Sequence, residues 1–426
     1  MRGRPAAGKD APMRPASEER LHEIPWGALA GRAAALDGAL AEILAGAPAE
    51  RIVDRVLRAD RGLSREARRA LAEALFGVGL WRRRLYAQLG DGAAPARLLL
   101  AALLRDLAGR DDAETLAELP PGALPPPRPP PGALADRASL PDWLAGELVA
   151  AAGEEAGALA DALNLPGPLC LRVNLLRATP AVAAARLAGE GVATRPGLLA
   201  PGCLVVASSR PNVYGLGAHR EGLVEVQDEG SQLLGALVGA RPGESVLDAC
   251  AGAGGKTLLL AAEVGPAGRV HAVDPDLARL ERLRVRAARA GAAGIVALDG
   301  AAPAGGLRVD RALVDAPCSE LGALRRGPDL RWRLDPAAFA ALPPLQLEIL
   351  ERAAACVKPG GRLVYATCTF RRAEDEEVAI AFERAHPEWT RIVPSVGAST
   401  VTGDGFVRTW PHRHGTDGFF GAVWKR

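Results

Sequence analysis

The sequence predicts an α/β domain built on a doubly wound, mostly parallel sheet, preceded by an all-helical domain and a small α+β module. Three observations predict it. From Glu225 onward, apolar strand-like runs (SVLDAC, VHAVD, GIVALD, RALVDAPC, RLVYATC) alternate with helical stretches, and GFVRTW and GFFGAVW close the chain. Strands that are apolar throughout belong to parallel sheets covered on both faces. From Ile24 to Leu119, apolar residues recur at three- and four-residue spacing, with no strand alternation. Between these regions, residues 120–131 read PPGALPPPRPPP, a run that can form neither helix nor central strand.

The 426 residues allow two or three domains of ~100–200 residues each. Residues 1–20 are polar and predict a loose tail. Residues 21–119 predict the helical domain, with Ser64 as an N-cap before Arg65. Residues 120–138 predict an extended linker and the clearest domain boundary. Residues 139–224 predict the α+β module, with a helix after Pro141, a strand in LCLRVNL and short strands near 204–207 and 223–226. Residues 225–426 predict the sheet domain.

Composition excludes several classes. With 49% hydrophobic and 24% charged residues, wholesale disorder is ruled out, and 4% aromatics means cores of Ala, Leu and Val. A formal charge of +2 does not by itself argue for nucleic acid. No apolar run reaches the ~18–20 residues that cross a bilayer. There is no apolar signal core, and Asp10, Glu18 and Glu19 argue against a transit peptide. A cytoplasmic protein, monomeric and without a membrane partner, is expected. Six cysteines without a C-x-x-C pair predict neither a disulfide framework nor a metal site.

The first strand of the sheet domain runs into Cys250-Ala251-Gly252-Ala253-Gly254-Gly255-Lys256-Thr257 and then a helix. Glycines here let backbone amides approach a ligand at a helix N-terminus. Three ligands compete. A phosphate-binding loop needs a leading glycine where Cys250 stands. A dinucleotide loop needs glycine where Thr257 stands. S-adenosylmethionine tolerates a looser turn. Asp274 ends the next strand, at the position for a carboxylate on ribose hydroxyls. Asp299 ends the one after, where it could meet an adenine amino group. Together they point to an adenosine ligand.

Asp315, Pro317 and Cys318 end one later strand, and Cys368 ends the next. Ligands of open α/β sheets bind at the carboxyl ends of strands, so both thiols can face the cofactor crevice. Exocyclic amines and oxygens need no covalent help from a thiol to accept a methyl group. Carbon-5 of a pyrimidine does, because thiolate addition at carbon-6 turns it into a nucleophile. A second group must then assist release. Asp315 suits ring nitrogen 3, where a hydrogen-bond donor would neutralise developing charge. Lys256 is a candidate for electrostatic activation of the thiol.

At these residues the chain resembles the Sun-type (RsmB-type) family of RNA cytosine-5 methyltransferases acting on small-subunit ribosomal RNA. The matching motifs are VQDEGSQL (226–233), LDACAGAGGKT (247–257), VDPDLARLERL (273–283), LDG (298–300), VDAPCSELG (314–322), LRRGPDLRW (324–332), LQLEIL (345–350), KPGGRLVYATCTF (358–370) and HGTDGFF (414–420). The resemblance implies a Rossmann-like S-adenosylmethionine-dependent domain, with Cys368 as nucleophile and Cys318 assisting product release. It implies that the 250–256 loop, Asp274, Asp299 and Asp315 hold S-adenosylmethionine, with Asp315 also serving the base. It further implies 16S ribosomal RNA as partner, a helical domain like the antitermination factor NusB, and a small RNA-binding module. Two positions depart from the family: Ala253 stands where proline is usual, and Glu320-Leu321 where a smaller pair is common.

Residues 51–84 hold ten arginines against four acidic residues, a candidate phosphate-contacting face. Arg325, Arg326, Arg331 and Trp332, just past Cys318, are expected to grip RNA at the crevice. Two rivals remain: a DNA-type enzyme using the thiol after Pro317, and a non-catalytic RNA-binding assembly factor.

Overall fold

The longest helix, Arg65–Leu89, starts where the Ser64 hydroxyl accepts a hydrogen bond from Ala67 N at 3.1 Å. It stops at Gly90, whose φ of 70° suits a residue without a Cβ. Ser64 is thus the cap that the sequence predicts. The computed structural model describes residues 15–208, 211–303, 305–395 and 398–426. The chain divides into two units, residues 1–166 with 324–334, and residues 167–323 with 335–426.

In the first unit, Asp37–Leu44, Ala49–Ala59, Arg65–Leu89 and Ala96–Ala102 are helical around a core of leucine and alanine with Trp26 and Trp81. The helices Asp142–Ala152 and Ala156–Asn164 belong to it as well. Two expectations are corrected here. Most of the expected loose tail lies outside the described residues, but Ala16–Glu19 is helical. Buried Glu18 pairs with buried Arg84 at 2.6 Å, because a guanidinium inside a helical core requires a counter-charge. The proline-rich run, although without helix or strand over 125–131, is not where the units part. It is tied to the helices: Glu114 accepts hydrogen bonds from Gly122 N (3.1 Å) and Leu124 N (2.7 Å), and Arg105 donates to the Pro125 carbonyl. The division between the compact units comes after Pro166.

The second unit holds two sheets. Strands β1 (Cys170–Val173), β2 (Thr194–Pro196), β3 (Cys203–Val206) and β4 (Val224–Val226) form an antiparallel sheet ordered β2-β3-β1-β4. The larger sheet contains β5 (Ser245–Asp248), β6 (Arg269–Val273), β7 (Val296–Gly300), β8 (Val309–Asp315), β9 (Val357–Thr367), β10 (Thr390–Arg391), β11 (Val407–Thr409) and β12 (Phe419–Lys425). Its order is β10-β12-β9-β8-β5-β6-β7, with β11 paired to β12. Strands β5 to β9 pair in parallel, and β12 adds antiparallel to β9.

Successive strand residues face opposite cores. Val246, Leu313 and Val364 enter one cluster, while Leu247, Val314 and Leu363 enter the other. Both faces are covered, which is why these strands read as continuous apolar runs. The chain leaves β5 toward β6 and β7 on one side and returns to β8 and β9 on the other. That reversal opens a crevice at the carboxyl end of β5. Among the described residues no helix is long and apolar enough to cross a membrane.

Candidate active site

A cavity of about 620 Å³ occupies this crevice, a size that suits a nucleoside-bearing ligand. Its floor is the turn after β5. Ala251 N donates to Val273 O (2.9 Å), and Gly252 N donates to the Asp274 carboxylate (2.8 Å). Gly252 has φ 53° and Gly254 φ 91°. A Cβ on Gly254 would also run into Leu283, so the turn depends on glycine there. The helix Gly255–Val264 follows and points its N-terminus at the cavity.

Two acidic residues control the electrostatics. Asp248, 1% exposed, accepts a hydrogen bond from Thr257 Oγ1 at 2.7 Å, while its Oδ1 is buried without a partner. Burial pushes its carboxyl up to about 7, with the Asp315 charge adding to this and Thr257 and Lys256 opposing. Asp315 accepts a 2.6 Å bond from Lys256 Nζ. Burial alone would lower the buried Lys256 ammonium, but Asp315 more than offsets this and holds it above its ordinary value. An orphan carboxylate oxygen beside a glycine turn fits a cationic, amino-acid-bearing ligand such as S-adenosylmethionine.

The two thiols meet. Cys318 Sγ and Cys368 Sγ are 3.4 Å apart, and both line the cavity. The Cys318 contact, then burial, then the charges of Cys318, Asp315 and Glu320 hold the Cys368 thiol well above its ordinary value. At rest it is a protonated thiol. The pair is clamped from behind: Gly322 N donates to Cys368 O (3.0 Å), Gly418 N donates to Gly322 O (2.9 Å), and Ser319 Oγ meets Thr369 Oγ1 at 2.8 Å. A Cβ on Gly322 would overlap the Gly418 carbonyl and lie 2.9 Å from Cys368 O. Backbone atoms cannot give way, so Gly322→Ala is expected to spread the two cysteine loops. A displacement near 1 Å costs about 10²-fold in rate, and methyl incorporation should fall accordingly while the melting curve stays cooperative.

The structure brings together most of the predicted site. Cys250, Ala251, Gly252, Ala253, Gly255, Lys256, Asp274, Asp315, Cys318 and Cys368 line one cavity. Gly254 shapes the turn from behind. Asp299 stands near the end of β7, just before the cavity-lining Ala301, Ala302 and Pro303, and its Oδ2 pairs with His271 Nδ1 at 2.7 Å.

The aromatic and arginine grip is corrected too. Residues 324–334 pack in the first unit. Arg331 is fully buried, donating to Asn164 Oδ1 (2.7 Å) and Leu163 O (3.3 Å). The Trp332 ring lies 4.0 Å from the Arg82 guanidinium. Arg325 is buried, and only Arg326 of the four is exposed. Sequence reasoning missed Asp248, Gln227, Ser231 and Glu320 as wall residues. Gln227 and Ser231 lie inside the VQDEGSQL motif, which was the available signal.

Comparisons with known proteins agree with this geometry. Residues 236–425 match the family model of the 16S rRNA methyltransferase RsmB/F, and residues 140–212 match an RsmF/B-like ferredoxin-like domain. A probable ribosomal RNA small subunit methyltransferase B of Synechocystis is 36% identical over 304 residues, 69% of this chain and 68% of that protein. A putative methyltransferase of Mycobacterium tuberculosis is 37% identical over 336 residues, 76% of this chain and 71% of that one. The solved structure of PH0851 superposes with a TM-score of 0.75 at 27% identity, covering 94% of this chain and 99% of that chain. The cofactor is S-adenosylmethionine. Dithiol cavity, glycine turn, sheet order and relatives converge: the chain belongs to the RsmB/F (Sun-type) family of 16S rRNA methyltransferases.

Proposed function

We propose that the protein methylates carbon-5 of a cytosine in small-subunit ribosomal RNA through a covalent adduct between Cys368 and carbon-6. The observation that carries this reading is the pair of sulfurs, 3.4 Å apart, at the ends of β8 and β9 and open to the cofactor cavity. A methyltransferase acting on nitrogen or oxygen has no use for them. S-adenosylmethionine, held by the 250–256 turn and the carboxylates of Asp274 and Asp315, supplies an electrophilic methyl group.

The protein's own groups do the rest. Cys368 passes its proton to the Asp315 carboxylate, and its sulfur adds to carbon-6. Asp315, carrying that proton, donates to ring nitrogen 3, and the Lys256 ammonium bonded to it offsets the negative charge that develops on the ring. After methylation, Cys318 takes the carbon-5 proton. The electrons of that bond restore the carbon-5 to carbon-6 double bond, and Cys368 leaves as thiolate. The target base must leave any stack to reach the sulfurs. On the helical unit, the exposed Arg51, Arg61, Arg65 and Arg69 supply charge for RNA phosphates.

The test is methyl transfer from labelled S-adenosylmethionine to an unmodified 16S rRNA transcript, with the product nucleoside identified by mass spectrometry. Wild type should give 5-methylcytosine, and Cys368→Ala none. Transfer that survives in Cys368→Ala would overturn the assignment of the nucleophile.

A further inference from the structure

In the cofactor turn, Gly252 and Gly254 hold left-handed backbone, with Ala253 between them. Glycine adopts that conformation without strain but leaves it as easily, so this turn needs outside support. Part of the support is visible in the backbone amides. Gly252 N donates to the Asp274 carboxylate (2.8 Å) and Gly254 N to Ala251 O (2.9 Å). The Ala253 carbonyl accepts no backbone hydrogen bond among the described residues. It is taken instead by a side chain 33 positions away, Arg286, whose Nη1 donates to it at 2.5 Å.

Arg286 is itself anchored. Its Nη2 donates to Glu225 Oε2 at 2.9 Å, and Arg289 donates to the other carboxylate oxygen. Glu225 lies in the middle of β4 and is 3% exposed. Burial alone would raise its carboxyl, but the two guanidiniums more than offset this and hold it below its ordinary value. A guanidinium bonded to such a carboxylate is fixed in direction, because its donors form a planar fork. The helix that carries Arg286, Leu277–Ala290, also places Leu283 against Gly254. Residues 283 and 286 are three apart and share a helix face, so one face supports both residues of the turn.

The peptide plane between Ala253 and Gly254 is thus held at both of its polar atoms. Arg286 holds the oxygen, and Ala251 O holds the N–H. Without Arg286 the oxygen is released, and Gly254, having no Cβ, lets the plane rotate. Rotation would displace the turn where Ala253 and Gly255 line the cavity. We infer that Arg286 is a positioning residue for S-adenosylmethionine: through the Ala253 carbonyl it locks the turn in its cofactor-binding shape. A proline ring at 253 would stiffen the same turn by another route. Ala253 N donates to nothing among the described residues, its φ is not left-handed, and a glycine precedes it, so the ring fits.

The experiment uses the full chain, with S-adenosylmethionine titrated by calorimetry and methyl transfer measured on an unmodified 16S rRNA transcript. Arg286→Ala is expected to raise the Kd and the KM for S-adenosylmethionine at least tenfold, while kcat stays within threefold. Its melting temperature should fall as well, because Glu225 loses one of two counter-charges. Adding Ala253→Pro should return the Kd to within threefold of wild type and leave the melting temperature low. That split separates support of the turn from support of the fold. Arg286→Lys keeps a charge for Glu225 but lacks the fork, so it should lose affinity with little change in melting temperature. Wild-type affinity in both Arg286 variants would overturn the role. So would a loss of affinity that Ala253→Pro does not recover, since the defect would then reach the cofactor through the fold. Calorimetry decides between these outcomes whichever RNA base is methylated.

Discussion

Cys318→Ala protein mixed with S-adenosylmethionine and unmodified 16S rRNA is expected to hold RNA through a denaturing gel, while wild type releases it. In the proposed reaction the sulfur that adds to the base, Cys368, remains, so addition and methylation proceed. The group 3.4 Å away that removes the carbon-5 proton is gone, so the adduct cannot collapse. Turnover should drop by at least 10²-fold, within the range for loss of a positioned acid or base. The variant also removes the main influence holding the Cys368 thiol up. Alkylation of Cys368 by iodoacetamide, without RNA, should therefore be faster than in wild type at pH 7.5. A Cys318→Ala protein that releases RNA normally would show that another group performs expulsion.

Asp315→Asn is expected to abolish methyl transfer and to weaken the fold. Lys256 is 8% exposed and Asp315 31%. Breaking a buried ion pair costs roughly 3–5 kcal/mol, and the partial exposure of Asp315 places this case near the lower figure. The sign of the pH dependence separates this from a general loss of packing. In wild type the Lys256 ammonium is held above its ordinary value, so the pair contributes fully at neutral pH and fades only in strong alkali. Without Asp315, only the weaker Cys368 and Asp248 charges oppose burial, and the ammonium is expected to fall below its unfolded value. The folded variant then binds fewer protons than the unfolded chain, and its stability should rise from pH 8 toward pH 10. Urea unfolding at several pH values reads this directly, and a pH-independent deficit would contradict it.

The sheet and its two sulfurs were legible because their signals are local. The apolar stretches 246–247 of β5 and 363–366 of β9 are buried on both faces, and the strand-end rule carries Cys318 and Cys368 to one crevice. What was not legible depends on partners distant in sequence. Arg331 looks like a nucleic-acid contact until Asn164, 167 positions earlier, is seen to accept its hydrogen bond. The backbone of Glu320 carries no pattern at all, since a single left-handed residue leaves no periodicity. The proline run was read as irregular, but prolines say nothing about the hydrogen bonds by which Glu114 and Arg105 tie it to the helices.

The excursion of residues 324–334 has a consequence for dissection. The helical body is finished by eleven residues that the chain delivers only after most of the catalytic strands have been made. Asp329 caps the backbone at Ala49 (3.2 Å), and Arg331 seals the end of the helix Ala156–Asn164. A fragment ending at residue 166 would keep an unfilled socket, and its complement would carry a stray plug. The two halves are therefore not interchangeable cassettes, and the first is not completed until residues 324–334 have emerged.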